Sequence, residues 1–325
     1  MKKFQLNSSV TWLVALAFAL SAALAGALWG TFSRRSAPER AAPTPRTVGA
    51  EVPRGEAPPS EPRRVQVLTT QGMVTHRGAA DQEWRTVSPG DRLQVQETIK
   101  TEKDATVGLQ VDEKSRIEMG KRTRLTIRQL DDQAHRFHLE EGKVHVRYEP
   151  SGDREVQIGV PGDGQMARTG QGQFFAQNNT GTLSVATLQG QTLLGDKVNL
   201  VQIPAGSLSA MPIGKSPLPV RPIPNSVMLR VDEPRSRVQR EPFTIISGKT
   251  DVGAMVTVND VLAKVDGQGR FWIRIPLMEG RNRILVRTED VAANTSRKEL
   301  PAIVVDSNAP IDQMKIRWRR NQDIP

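Results

Sequence analysis

Asp266-Gly267-Gln268-Gly269-Arg270-Phe271-Trp272-Ile273-Arg274-Ile275 decides how this 325-residue chain is read. Its first four residues are turn formers, and the run behind them sets β-branched and aromatic side chains among polar ones. The stretch therefore predicts a hairpin turn and its returning strand. The same texture continues on both sides. Phe243-Thr244-Ile245-Ile246 and Val256-Thr257-Val258 precede it, while Asn282-Arg283-Ile284-Leu285-Val286 and Ala302-Ile303-Val304-Val305 follow. Together they predict a small β-sandwich over residues 227–306.

Upstream, residues 65–215 repeat the pattern in Val65-Gln66-Val67-Leu68, Ala105-Thr106-Val107-Gly108-Leu109, Arg124-Leu125-Thr126-Ile127, Val144-His145-Val146 and Leu183-Ser184-Val185-Ala186. Apolar and polar residues alternate as in strands with one buried face, and Pro89-Gly90-Asp91, Ser151-Gly152-Asp153 and Pro161-Gly162-Asp163 punctuate them as turns. No amphipathic helix of useful length interrupts this pattern. The fold class is all-β, with residues 65–215 expected as a sandwich or a β-helix-like stack. Trp84, Phe174 and Trp272 are expected as structural core residues. Between the two β regions, residues 216–226 carry Pro217, Pro219, Pro222 and Pro224 and are expected as a semi-rigid hinge with few contacts.

Lys2 and Lys3 precede an uncharged apolar run from Val10 to Phe32, long enough to cross a bilayer. Residues 1–32 thus read as a single transmembrane anchor or as a secretory leader. Ala23-Leu24-Ala25 and Ala25-Gly26-Ala27 offer cleavage sites, whereas Trp29 and Phe32 extend the run as a spanning helix would. Retention predicts a single-pass inner-membrane protein with its domains in the periplasm, and cleavage a periplasmic one. Residues 33–64, rich in Pro, Ala and Arg, read as a disordered spacer.

A net charge of +10 makes the surface attractive to anionic partners, namely acidic envelope proteins or phosphate-bearing envelope polymers. Export argues against nucleic acid. Aromatic residues make up 4% of the chain, with Tyr148 the single tyrosine, which disfavours a surface of stacking platforms for bases or sugars. The chain has no cysteine, so disulfides, thiolate metal sites and a lipoprotein-type anchor are excluded. His135 and His138 would converge on a helix but point to opposite faces of a strand, so His76, His135, His138 and His145 read as solvated strand histidines. Gly214-Lys215-Ser216 and Gly248-Lys249-Thr250 resemble the end of a phosphate loop, but Ser209 and Phe243 stand where its first glycine belongs. Glu140-Glu141 reads as a solvated pair at a strand end. No nucleophile with a base and no converging pair of acids stands out, so no catalytic residue, metal or cofactor is expected.

The tail, residues 307–325, contains Lys315-Ile316-Arg317-Trp318-Arg319-Arg320. On a strand, Lys315, Arg317 and Arg319 would share one face and Ile316 and Trp318 the other. Lys315, Arg317, Trp318, Arg319 and Arg320 are thus candidates for partner or membrane-surface binding.

Several short elements carry a family resemblance: Pro89-Gly90-Asp91-Arg92-Leu93, Thr98-Ile99-Lys100-Thr101, Leu139-Glu140-Glu141-Gly142-Lys143-Val144, Val185-Ala186-Thr187-Leu188-Gln189-Gly190 and Pro204-Ala205-Gly206, with Gly72 and Trp84. In order and spacing they resemble the FecR domain, a bacterial envelope module. The usual Gly-Thr before a phenylalanine is replaced by Gln171-Gly172-Gln173-Phe174, and the usual Asp-Gly-Ser turn by Asp112-Glu113-Lys114-Ser115. Ile246-Ser247-Gly248-Lys249-Thr250, Gly253-Ala254-Met255-Val256-Thr257-Val258-Asn259, Asp266 to Phe271 and Glu279-Gly280-Arg281-Asn282 resemble bacterial immunoglobulin-like modules, which implies spacing or docking. FecR-family proteins that signal to sigma factors place a cytoplasmic segment before their membrane helix, whereas nine residues precede Val10 here. The leading expectation is a non-enzymatic envelope scaffold or sensor. A signalling receptor acting through a separate regulatory partner is the alternative, and an enzyme acting on envelope polymer the second alternative. Oligomeric state is left open.

Overall fold

Every regular element among the described residues is a β-strand, so the all-β expectation holds. The computed structural model describes residues 64–307, apart from 82, 151, 163 and 235. The apolar run, the spacer up to Arg63 and the tail candidates Lys315, Arg317, Trp318, Arg319 and Arg320 lie outside the described residues.

Residues 65–222 form one sixteen-stranded sheet folded into two layers. One layer runs in the order Arg92–Leu93, Val65–Gln71, Thr106–Gln110, Arg116–Met119, Ala134–Tyr148, Gly172–Asn179, Thr182–Gly195, Ser207–Met211 and Arg221–Pro222. The other runs Arg85–Thr86, Val74–Arg77, Thr98–Thr101, Arg124–Leu130, Ala134–Tyr148, Glu155–Gly159, Met166–Thr169, Thr182–Gly195 and Leu200–Pro204. Two long strands, Ala134–Tyr148 and Thr182–Gly195, belong to both layers and turn the corner between them. Inward residues of both layers share one core.

Each corner bends at a glycine in the left-handed region, Gly142 (φ 94°) and Gly190 (φ 73°). A Cβ on Gly142 would lie 2.5 Å from Thr123 Cα and 2.6 Å from the Arg122 carbonyl oxygen, so two chain segments close on the bend. The bend frees the carbonyls of Leu139 and Glu140, and the Asn178 side-chain amide donates to both, at 2.9 and 2.7 Å. The glycine is thus an in-strand corner and not the strand end expected from sequence. Glu140 and Glu141 accordingly sit mid-strand, both paired with Arg124. The substituted turn works by side-chain chemistry: Asp112 Oδ1 accepts the backbone N–H groups of Lys114 and Ser115, closing the hairpin to Arg116–Met119.

Phe174 is fully buried in this core beside Phe137 and Tyr148. Trp84 is not a core residue. It is half-buried at the surface with the Arg77 guanidinium 4.8 Å over its ring. The histidines also depart from expectation: His135 is buried and hydrogen-bonded to the Tyr148 hydroxyl at 3.1 Å, and His76, His138 and His145 are half-buried.

Residues 229–305 form a second, eight-stranded sheet in the order Leu229–Val231, Phe243–Thr250, Arg270–Pro276, Val261–Val265, Met255–Val258, Gly280–Glu289, Thr295–Val305 and Val238–Gln239. It wraps a core of its own that includes Ile246, Val256, Phe271, Ile284 and Ile303. The expected hairpin turn is present: Asp266 Oδ1 accepts the N–H groups of Gln268 and Arg270, and Gly269 takes φ 78°. Strand alternation sends Phe271, Ile273 and Ile275 inward, which turns Trp272 outward with 63% of its surface exposed. Trp272 is therefore not core, contrary to expectation.

The proline-rich segment is no loose hinge. Arg221–Pro222 pairs with Ser207–Leu208, Leu218 N–H donates to the Ala210 carbonyl at 2.8 Å, and Ser209 Oγ donates to the Leu218 carbonyl at 2.6 Å. Every described strand and core falls after residue 60, which equips the portion from Ser60 onward to fold without the preceding residues.

Candidate functional site

The second sheet seats on the outer face of the first, across the strands Gly172–Asn179 and Thr182–Gly195. Gln177 and Asn179 donate their side-chain amides to the carbonyls of Gly253 and Ala254, at 2.7 and 2.6 Å. Gly253 (φ 78°) comes so close that a Cβ there would lie 1.8 Å from Ser184 Oγ. Ala186, Leu208 and Val291 form a small apolar cluster at the same junction, flanked by Phe175, Ile223 and Ala292. Asn294 donates to the Pro224 carbonyl at 2.9 Å, and Arg221 pairs with Asp251 at 3.6 Å. Buried amide hydrogen bonds of this kind contribute about 1 kcal/mol each and fix orientation.

Beside this junction the two sheets leave a cleft of about 810 Å³. It continues over the face of the first sheet as a groove of about 560 Å³, and the two share Thr106, Gly120 and Lys143. Six cations (Lys103, Lys121, Arg122, Lys143, Arg287 and Arg297) and three carboxylates (Asp104, Asp260 and Glu289) line the cleft. Two of those carboxylates are already engaged within the walls. Glu289 pairs with Lys143, whose ammonium also lies 5.5 Å from the centre of the Phe175 ring. Asp260 pairs with Arg287 at 3.2 Å, and its carbonyl accepts from Arg122 at 2.7 Å. Lys103, Lys121 and Arg297 form no ion pair among the described residues.

Arg287 and Arg297 stand directly opposite each other on neighbouring strands. Like charges in that register destabilise a sheet; Asp260 offsets part of the repulsion at Arg287, and Arg297 is left, among the described residues, as an unpaired cation on that wall of the cleft. Along the groove, Gln173 Nε2 lies 2.7 Å from His145 Nε2, His145 Nδ1 lies 3.3 Å from Glu118, and the His145 ring is tilted against Phe175 at 4.4 Å. The result is a positively charged, hydrogen-bonding trough with one aromatic face.

The remaining sequence candidates are not gathered here. Gly248 and Lys249 lie within the strand Phe243–Thr250, with no helix behind them to cradle a phosphate. His135 and His138 lie on opposite faces of their strand. Lys103, Lys121 and Arg297 carry no local motif. Counting back from the Asp290–Asn294 turn would have set Arg287 against Arg297, but the partner wall comes from residues more than a hundred positions away.

His138 holds its pKa below the ordinary 6.5 because burial disfavours the charged ring and Arg128 and Arg136 repel it, against a smaller opposing pull from Glu140. Its contribution to stability is complete above the unfolded value and is lost as pH falls through the folded one. Melting temperature is therefore expected to drop as pH falls below the unfolded value of 6.5, and His138→Gln to flatten that slope in thermal melts.

The family model described as "FecR protein" matches residues 97–192. That segment runs from the strand Thr98–Thr101 through both glycine corners and supplies Lys103, Lys121, Arg122 and Lys143 to the cleft. No curated protein matches the chain. Two similar crystal structures are each of a "putative anti-sigma factor" from Parabacteroides distasonis. One is 7% identical, covers 38% of this chain and 59% of its own, with a TM-score of 0.34. The other is 5% identical, covers 56% of this chain and 85% of its own, with a TM-score of 0.36.

Proposed function

We propose that this chain is a non-enzymatic binding or sensor protein of the bacterial envelope that takes an anionic segment in the cleft between its two sheets. The observation that carries this reading is the cleft itself: six cations against three carboxylates, two of which are already paired within the walls. The FecR match supports an envelope-side role, and the second sheet, whose sequence resembles immunoglobulin-like modules, acts as the other wall. The charged groups pair with one another or face solvent, an arrangement suited to holding an acidic chain more than to breaking bonds.

The direct experiment is fluorescence anisotropy of labelled polyglutamate and of labelled inorganic polyphosphate with the portion from Ser60 onward. Binding of either probe is expected to weaken with salt, and Lys121→Glu to weaken it about tenfold. Preference between the probes separates an acidic protein segment from a phosphate polymer. Salt-insensitive binding, or binding unaffected by Lys121→Glu, would remove the cleft from the account.

The FecR match also favours a second reading, regulation through a separate membrane partner. Under that reading, deletion of the gene changes sigma-factor-dependent transcription. Under the first it leaves transcription unchanged.

A further inference from the structure

One face of the second sheet bears a cluster that neither its core nor the cleft uses. Arg230, Lys249 and Arg270 lie directly opposite one another on three adjacent strands, so their side chains rise from the same face. Strands are about 4.8 Å apart, so the three cationic side chains spring from adjacent positions in one row. In the neighbouring rows Lys264 and Ser247 flank Trp272, with Asp232 accepting from Ser247 Oγ at 2.6 Å, and Ile245 stands opposite Arg274. Trp272 is 63% and Ile245 59% exposed. The Arg274 guanidinium carbon lies 3.6 Å from the centre of the Phe243 ring. Arg270 is paired with Asp266 at 2.8 Å, whereas Arg230, Lys249 and Lys264 form no ion pair among the described residues.

Registered like charges and a solvent-facing indole both work against stability, and nothing inside the fold requires either. We infer that this face docks on an anionic bilayer surface, with Trp272 and Ile245 at headgroup depth and the surrounding cations on lipid phosphates. Three observations select a lipid surface over an acidic protein. The face is an open strand layer whose five cations, Arg230, Lys249, Lys264, Arg270 and Arg274, outnumber its two carboxylates, Asp232 and Asp266, and laterally mobile headgroups can satisfy that excess without prearranged counter-charges. Its apolar centre is a tryptophan, whose amphipathic ring suits the membrane interface. The uncharged run from Val10 to Phe32, read as an anchor, would keep the sheet within spacer reach of a bilayer.

The test uses the portion from Ser60 onward, which omits the apolar run, in sedimentation with phosphatidylcholine vesicles with and without one-third phosphatidylglycerol. The portion is expected to partition onto the anionic vesicles alone. Lys249→Glu with Lys264→Glu should lower the partition coefficient at least about tenfold, and Trp272→Ala about fivefold, with melting transitions unchanged because these side chains are exposed. Lys121→Glu in the cleft should leave partition within about twofold, which separates this face from the proposed function above. Equal partition of wild type and face variants would overturn the inference, since the basic tail common to all would then account for binding. Binding of polyglutamate that is lost with the face variants while vesicles are ignored would overturn it too, and would make the face a protein-docking surface.

Discussion

Gly142→Ala is expected to destabilise the protein by about 4 kcal/mol or more, a large share of the roughly 5–15 kcal/mol by which native proteins are stable. An alanine at φ 94° is strained, by about 1–3 kcal/mol in general. Here its Cβ would also sit 2.5 Å from Thr123 Cα and 2.6 Å from the Arg122 carbonyl oxygen, backbone atoms that cannot yield without opening the corner. Gly152→Ala is the control, because Gly152 also has a positive φ (108°) but has nothing within 4 Å of the added methyl. It isolates the strain alone and should cost about 1–2 kcal/mol. Urea denaturation of both variants measures the difference. Equal losses would show that the corner is not closely packed.

Phe174→Ala is the second large effect, about 3–5 kcal/mol for truncating a fully buried aromatic ring. The two sheets are joined by the Gln177 and Asn179 amides, the Lys143–Glu289 pair and the Ala186–Leu208–Val291 cluster. Calorimetry should therefore show one transition that moves as a whole. A variant that splits the endotherm, with the second sheet melting at its original temperature, would mean that the junction couples the sheets weakly.

Strand content was legible because alternation and turn residues are local signals. Asp266 to Ile275 reads as turn and strand in sequence and is turn and strand in the structure. The same alternation, applied strictly, places Trp272 on the side of Arg274 and away from Phe271. Treating a tryptophan as core by its size overrode the better signal. Trp84 erred for the same reason, since its ring is satisfied at the surface by Arg77. The corner role of Gly142 was not legible, because a glycine between β-like runs looks the same whether the chain reverses or bends into another layer. The proline segment misled because its composition signals stiffness but not what the backbone bonds to. Here Leu218 bonds to the neighbouring strand and Ile223 to Gly206 in the turn before it. The cleft was out of reach, since its two walls are distant in sequence and meet through the Gly253 approach, which only the assembled fold creates.

The central claim is that both sheets hold one anionic ligand, and charge reversal on each wall separately tests it most directly. Lys121→Glu alters the wall built by the first sheet and Arg297→Glu the wall built by the second. Anisotropy titrations with labelled polyglutamate and polyphosphate should show each reversal weakening the preferred probe about tenfold, while Arg128→Glu, outside the cleft, changes it less than about twofold. Loss with Lys121→Glu and none with Arg297→Glu would contradict a site shared by the two sheets.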